Sequence, residues 1–117
     1  MVTVDEVRDV AAELPRSYEA IVRGRLKLRV GRIVYASFSR DGEVMGCGFP
    51  KEWRQAAVDG EPDKFALPSE HDMRYQWVHV NLAAIDQDEM RDLIENAWAM
   101  CVLKSVYEEY AVSMGYR

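Results

Sequence analysis

The middle of this chain alternates between charged and apolar residues, which constrains it to form β-strands. Residues 23 to 30 read Arg-Gly-Arg-Leu-Lys-Leu-Arg-Val. Successive side chains of a strand point to opposite faces of a sheet, so Leu26, Leu28 and Val30 are expected to face a core. The opposite face then carries a row of cations, namely Arg23, Arg25, Lys27 and Arg29. Because like charges repel, this row requires either solvent or an anionic partner.

Basic residues are concentrated around this row. Residues 16 to 40 hold seven Arg or Lys residues and one acid, Glu19, for a net charge of +6, whereas the remaining residues carry −11 and the whole chain −5. The negative total opposes indiscriminate adhesion to nucleic acid or membranes. A local positive surface still attracts a phosphate or an acidic partner, because screening acts over about 8 Å at physiological salt.

Length and composition predict one domain over residues 1–117, with 49% hydrophobic residues available for a core. No apolar run approaches the length of about 20 residues that spans a bilayer. The N-terminus lacks the pattern of a signal peptide, so we expect a cytoplasmic protein. Cys47 and Cys101 have no CxxC spacing, which favours reduced, buried thiols and leaves a disulfide as the alternative.

Two segments have helical spacing and start signals. Thr3 and Glu6 form a capping-box pattern that predicts a helix from about Val4 to Leu14, ended by Pro15. The same pattern recurs at Asp86 and Glu89, where apolar residues repeat at helical spacing. That second helix is predicted to run to about Tyr110.

Between these helices the sequence predicts an antiparallel sheet. Strands are expected at residues 25–30, 32–38 and 43–49, with turns at Gly31 and at Asp41-Gly42. A short helix at 51–58, a short strand near 64–67 and a strand at 75–82 follow. The resulting fold class is α+β, with the N- and C-terminal helices packed on one face of the sheet.

Several pieces of the sequence, in this order and spacing, resemble the MmcQ/YjbR family over nearly the whole chain. They are Leu14-Pro15, Leu28-Arg29-Val30-Gly31-Arg32, Val34-Tyr35-Ala36, Pro62-Asp63-Lys64-Phe65, Trp77 to Leu82, and Asp86 to Trp98. The resemblance implies a compact α+β fold related to frataxin-like and double-wing architectures. Members are often labelled DNA-binding because double-wing domains include a transcription factor, which is an analogy from fold. The segment after Lys104 departs from the family pattern, so its role is not implied.

The basic row is the main candidate site. Arginine forks on an exposed sheet face can grip phosphate oxygens while aromatic rings stack on bases, and Tyr35 and Trp77 are the candidate rings. The candidate nucleic-acid-binding residues are Arg23, Arg25, Lys27, Arg29 and Arg32. The alternatives are a solvated face, pairing with acids of residues 59–72, and a protein-interaction or homodimerisation surface.

Other site chemistry has little support in the sequence. His71 lies between acids, but adjacent residues rarely converge on one metal ion, so no metal is expected. No G-x-S-x-G elbow and no phosphate-binding glycine loop occur, and no cofactor is expected. A Cys47–His79 dyad requires their strands to be neighbours and the thiol to be activated. We therefore expect a non-enzymatic binding domain.

Overall fold

The computed structural model describes residues 1–117 and has six strands and four α-helices. The strands are β1 (Ser17–Val22), β2 (Arg25–Val30), β3 (Ile33–Phe38), β4 (Val44–Gly48), β5 (Phe65–Ala66) and β6 (Trp77–Asn81). The helices are α1 (Val4–Ala11), α2 (Lys51–Gly60), α3 (Gln87–Ala99) and α4 (Lys104–Ser113). The secondary structure also includes two short 3-10 segments, Glu70–Arg74 and Leu82–Ala84.

All strands belong to one antiparallel sheet with the order β1-β2-β3-β4-β6-β5. The predicted α+β class is confirmed. Strand β1 lies outside the predicted sheet, which starts at residue 25. Arg23 and Gly24 form the β1–β2 turn with φ angles of 54° and 76°. Arg23 therefore lies at a turn, and its predicted place in the strand row is wrong.

One face of the sheet is covered by helices and forms the core. Directly opposed residues of antiparallel strands share a face, and the register aligns Leu28 with Ala36 and Ala36 with Cys47. These three side chains are fully buried. Helix α3 approaches β4 closely at its end, where a Cβ on Gly48 would lie 3.5 Å from Ala97 Cα.

The two predicted capping boxes are present. Thr3 and Glu6 exchange hydrogen bonds at the start of α1, and Asp86 and Glu89 do so at the start of α3. Each pair satisfies backbone N–H groups that have no partner inside the helix. Helix α1 ends at Ala11, before the predicted end, and the following turn leads directly into β1.

The predicted long C-terminal helix is two helices. Helix α3 ends at Ala99, and α4 returns from Lys104 against it. The Tyr110 ring packs edge-on against Trp98, with centroids 5.0 Å apart. Trp98 Nε1 donates a hydrogen bond to the Pro15 carbonyl oxygen at 2.8 Å, which ties α3 to the α1–β1 connection. None of the helices has the length and apolar character required to cross a membrane.

Candidate functional site

Helices α1 and α3 leave the second face of the sheet uncovered except at the end of β4, where α3 reaches Gly48, and we call it the open face. A row of directly opposed residues crosses it from β1 to β5: Ala20, Lys27, Ser37, Gly46, His79 and Ala66. Four of these residues are Ala, Ser or Gly, and their short or absent side chains leave a depression in the sheet surface along the row. A groove of about 920 Å³ lies along this face and extends to the end of α3, where Ala97, Met100 and Cys101 also line it.

Three of the five predicted binding residues line the groove. Arg25 and Lys27 project from β2, and Arg32 lies in the β2–β3 turn. Arg29 shares the open face because it is paired with Tyr18 and Val34, but it does not line the groove. Arg23 is exposed at the β1–β2 turn. The structure thus brings the β2 cations together and leaves Arg23 at the sheet's end.

None of the seven basic residues between 16 and 40 forms an ion pair. The one acid of that segment, Glu19, lies on the helix-covered face and pairs with Arg8 of α1 at 2.8 Å. In the loop from 59 to 72, Glu61 pairs with Lys64 at 2.7 Å. The alternative that this loop neutralises the basic row is therefore wrong.

Local contacts hold two of the cations on the open face. Lys27 Nζ donates a hydrogen bond to Ser37 Oγ at 2.9 Å. The Arg29 guanidinium lies 6.0 Å from the centre of the Tyr18 ring, and its Nε is buried without a hydrogen-bond partner. Neither contact pairs the cation with an opposite charge, since a hydroxyl and an aromatic ring are uncharged.

Aromatic side chains form the opposite end of the groove. Trp77 lies on the open face, and its indole fills the space above Gly46, where a Cβ would be 2.6 Å from Nε1. Tyr75, which is 50% exposed, also lines the groove. Trp77 thus occupies the predicted position for a stacking ring.

Tyr35 does not occupy such a position. A bulge between β2 and β3 pairs Leu28 with Ala36 and Arg29 with Val34, so Tyr35 is an extra residue in β3. The ring is buried, and its hydroxyl shares a 2.5 Å hydrogen bond with Ser17 Oγ. Burial raises the pKa of Tyr35 to about 12. Its prediction as a base-stacking ring is wrong because the bulge turns it into the core.

Arg54 positions the aromatic end and was missed by the sequence reasoning. Its buried guanidinium donates hydrogen bonds to the carbonyl oxygens of Tyr75 and Trp77 at 2.9 and 3.0 Å, and to that of Met73 at 2.9 Å. A planar fork of donors suits such a set of carbonyls. An arginine in a short amphipathic helix gives no sequence signal of this role.

The candidate dyad of Cys47 and His79 does not form. Cys47 faces the helix-covered core, whereas His79 lies on the open face and lines the groove. Burial raises the pKa of the Cys47 thiol to about 12, which keeps it protonated at neutral pH. Burial lowers the pKa of His79, and the Asp72 carboxylate opposes part of that shift. Both cysteines are free thiols.

No metal centre is assembled from the candidate residues. His71 Nε2 lies 3.2 Å from Arg74 Nη2, a cation that disfavours a bound metal ion. No group of three or more His, Cys, Asp or Glu side chains has a geometry that could hold a metal.

Comparison with known proteins supports the fold and a family. No curated protein matches the chain. The crystal structure of protein DR2400 from Deinococcus radiodurans, which carries a DUF419 domain, is similar with a TM-score of 0.77 and 22% identity. The match covers 93% of this chain and 88% of that one. The model of the family described as YjbR matches residues 12–100, and the chain therefore belongs to the YjbR family.

Proposed function

We propose that this domain binds nucleic acid on the open face of its sheet and catalyses no reaction there. The observation that carries the proposal is the set of seven basic residues between 16 and 40, none of which forms an ion pair. Three of them, Arg25, Lys27 and Arg32, line one groove. Unpaired cations around a groove favour an anionic ligand.

The chemistry of the groove favours nucleic acid over other anions. Arginine presents donors in a fork that matches phosphate oxygens, and lysine adds a point charge. The same groove contains the rings of Tyr75 and Trp77, which offer apolar surface to bases. A purely inorganic anion leaves those rings without a partner.

The direct test is charge reversal with a matched control. The groove variant is Arg25→Glu/Lys27→Glu/Arg32→Glu, and the control is Lys51→Glu/Lys104→Glu/Arg117→Glu, whose exposed cations lie elsewhere. Both variants change the net charge equally. We expect wild type and control to retain labelled DNA or RNA in a filter or polarisation assay, and the groove variant to lose it.

Salt dependence provides a second readout. If the cations contact phosphates, the log of the binding constant falls linearly with the log of salt concentration, by about 0.7 per phosphate for single strands and about 0.9 for duplexes. Absence of binding at low salt, or equal losses in groove variant and control, would contradict the proposal.

Self-association through the same face is the competing hypothesis. Sedimentation at two salt concentrations without nucleic acid distinguishes self-association from nucleic-acid binding. A salt-sensitive dimer that is absent in the groove variant favours self-association. A monomer at both salt concentrations, combined with nucleic-acid retention, favours the proposed function.

A further inference from the structure

The groove has two chemically different ends. At its β2 end, which includes the β2–β3 turn, the groove is lined by the cations Arg25, Lys27 and Arg32, and at its β6 end by Trp77, His79 and Asp72. Ser37 and Gly46, whose side chains are short or absent, lie between the two ends on the neighbouring strands β3 and β4. A ligand that fills the whole groove therefore needs an anionic part and an apolar, planar part within one molecule.

Side-chain contacts hold the aromatic end in place. The indole of Trp77 lies above Gly46. Arg54 donates hydrogen bonds to the carbonyl oxygens of Tyr75 and Trp77, which fixes the backbone at these two residues. A ring that is already held in place loses little conformational entropy when a ligand stacks on it. The aromatic end can therefore stack on a planar ligand group at a low entropic cost.

Asp72 distinguishes this end from a general polyanion site. It is half-buried, lines the groove and forms no ion pair. A carboxylate repels a phosphate at this end but accepts hydrogen bonds from the ring N–H or exocyclic amino groups of nucleobases. Phosphate is therefore favoured at the cationic end and a base at the aromatic end.

We propose that the groove binds single-stranded nucleic acid, with an unpaired base stacked on Trp77 and other phosphates of the same strand at Arg25, Lys27 and Arg32. This inference rests on the proposed function and specifies its ligand. In a duplex the base faces are stacked on one another and are unavailable to Trp77. Helices α1 and α3 cover the opposite face of the sheet, so they do not present a helix to a major groove from the open face.

The test compares a 10-nucleotide single strand with the duplex of the same sequence for three variants, at one low salt concentration. Trp77→Leu retains an apolar cover above Gly46 but removes the ring, Trp77→Phe retains a ring, and Trp53→Leu changes a tryptophan that is 64% exposed on α2. We expect Trp77→Leu to weaken single-strand binding by about 5-fold to about 150-fold, the range for loss of one stacked base. Trp77→Phe should recover most of that loss, and Trp53→Leu should bind like wild type.

The outcomes separate this inference from the proposed function. Tighter binding of the duplex, or an equal loss of single-strand and duplex binding in Trp77→Leu, overturns single-strand recognition and leaves nucleic-acid binding intact. Binding of inorganic polyphosphate as tightly as an oligonucleotide of equal charge also overturns it. If neither strand form binds, both proposals are wrong. Circular dichroism and urea unfolding of each variant confirm that it is folded.

Discussion

At Gly46 the sheet leaves room for the indole of Trp77, and we expect even one added methyl group to disturb it. A Cβ at this position would lie 2.6 Å from Trp77 Nε1. Gly46→Ala should therefore destabilise the fold by about 1–3 kcal/mol through overpacking. In Gly46→Ala/Trp77→Ala the clash is gone, so urea unfolding should show a double mutant less destabilised than the sum of the single changes. Additive effects would contradict the contact.

Arg54 is the residue whose loss should most disturb the aromatic end of the groove. It donates hydrogen bonds to three backbone carbonyls, those of Met73, Tyr75 and Trp77. Arg54→Ala leaves these acceptors without their charged donor, and we expect a loss of about 3 kcal/mol in the free energy of unfolding. The control Arg40→Ala, at an exposed turn, should change it by less than about 0.5 kcal/mol. If both variants change the free energy of unfolding only slightly, water replaces the guanidinium as the donor to these carbonyls.

Among the elements, α4 is held on α3 by a carboxylate and two phenols. Glu95 accepts hydrogen bonds from the hydroxyls of Tyr110 at 2.5 Å and Tyr116 at 2.9 Å. Burial, reinforced by its hydrogen bond to Glu95, raises the pKa of Tyr110, and a separate hydrogen bond to Glu95 raises the pKa of Tyr116. Each phenol therefore keeps its proton in the folded state at a pH where the unfolded chain loses it.

This contact predicts how stability depends on alkaline pH. Above the ordinary tyrosine pKa of about 10, the unfolded state binds fewer protons than the folded state, so the free energy of unfolding falls as pH rises. In Tyr110→Phe the fall should be shallower, because one shifted phenol is gone. Urea unfolding between neutral and strongly alkaline pH measures both slopes. Parallel slopes for wild type and variant would contradict the assigned role of Tyr110.

The sequence predicted elements where local signals and burial agree. Strand β2 and the capped starts of α1 and α3 are examples, because alternation and capping boxes act within a few residues. Strand β1 was missed because it is an edge strand with no fully buried residue, so burial imposes no alternation on it. The break between α3 and α4 contains neither glycine nor proline. The packing of Tyr110 on Trp98 holds α4 against α3, and sequence spacing does not show this tertiary contact.

Part of the candidate site was also predictable, because it depends on a local pattern in the sequence. Arg25 and Lys27 alternate on a regular strand, so their shared face follows from the sequence. The groove itself requires the register that aligns Lys27 with Ser37 and Gly46 with His79, and this is a tertiary property. The bulge that buries Tyr35 has no local signature in the sequence.

Across the whole molecule, charge is separated along the chain into a basic segment, residues 16–40, and an acidic remainder. Cations that form no ion pair repel one another, and a single hydrogen bond such as that of Lys27 to Ser37 offsets little of this repulsion. We therefore expect Arg25→Gln/Lys27→Gln/Arg32→Gln to keep or slightly raise the free energy of unfolding, with any gain largest at low salt. The matched comparison is Arg8→Gln, which removes ion pairs with Asp5 and Glu19 at 3.3 and 2.8 Å.

Urea unfolding at low and high salt distinguishes stabilising cations from cations available to a ligand. Arg8→Gln should lower the free energy of unfolding slightly at low salt, and less at high salt where the ion pairs are screened. If the triple glutamine variant loses more than Arg8→Gln does, the open-face cations contribute to the fold, and loss of nucleic-acid binding in their variants would have a structural cause. If its stability is unchanged while binding is lost, these charges are available for an external partner.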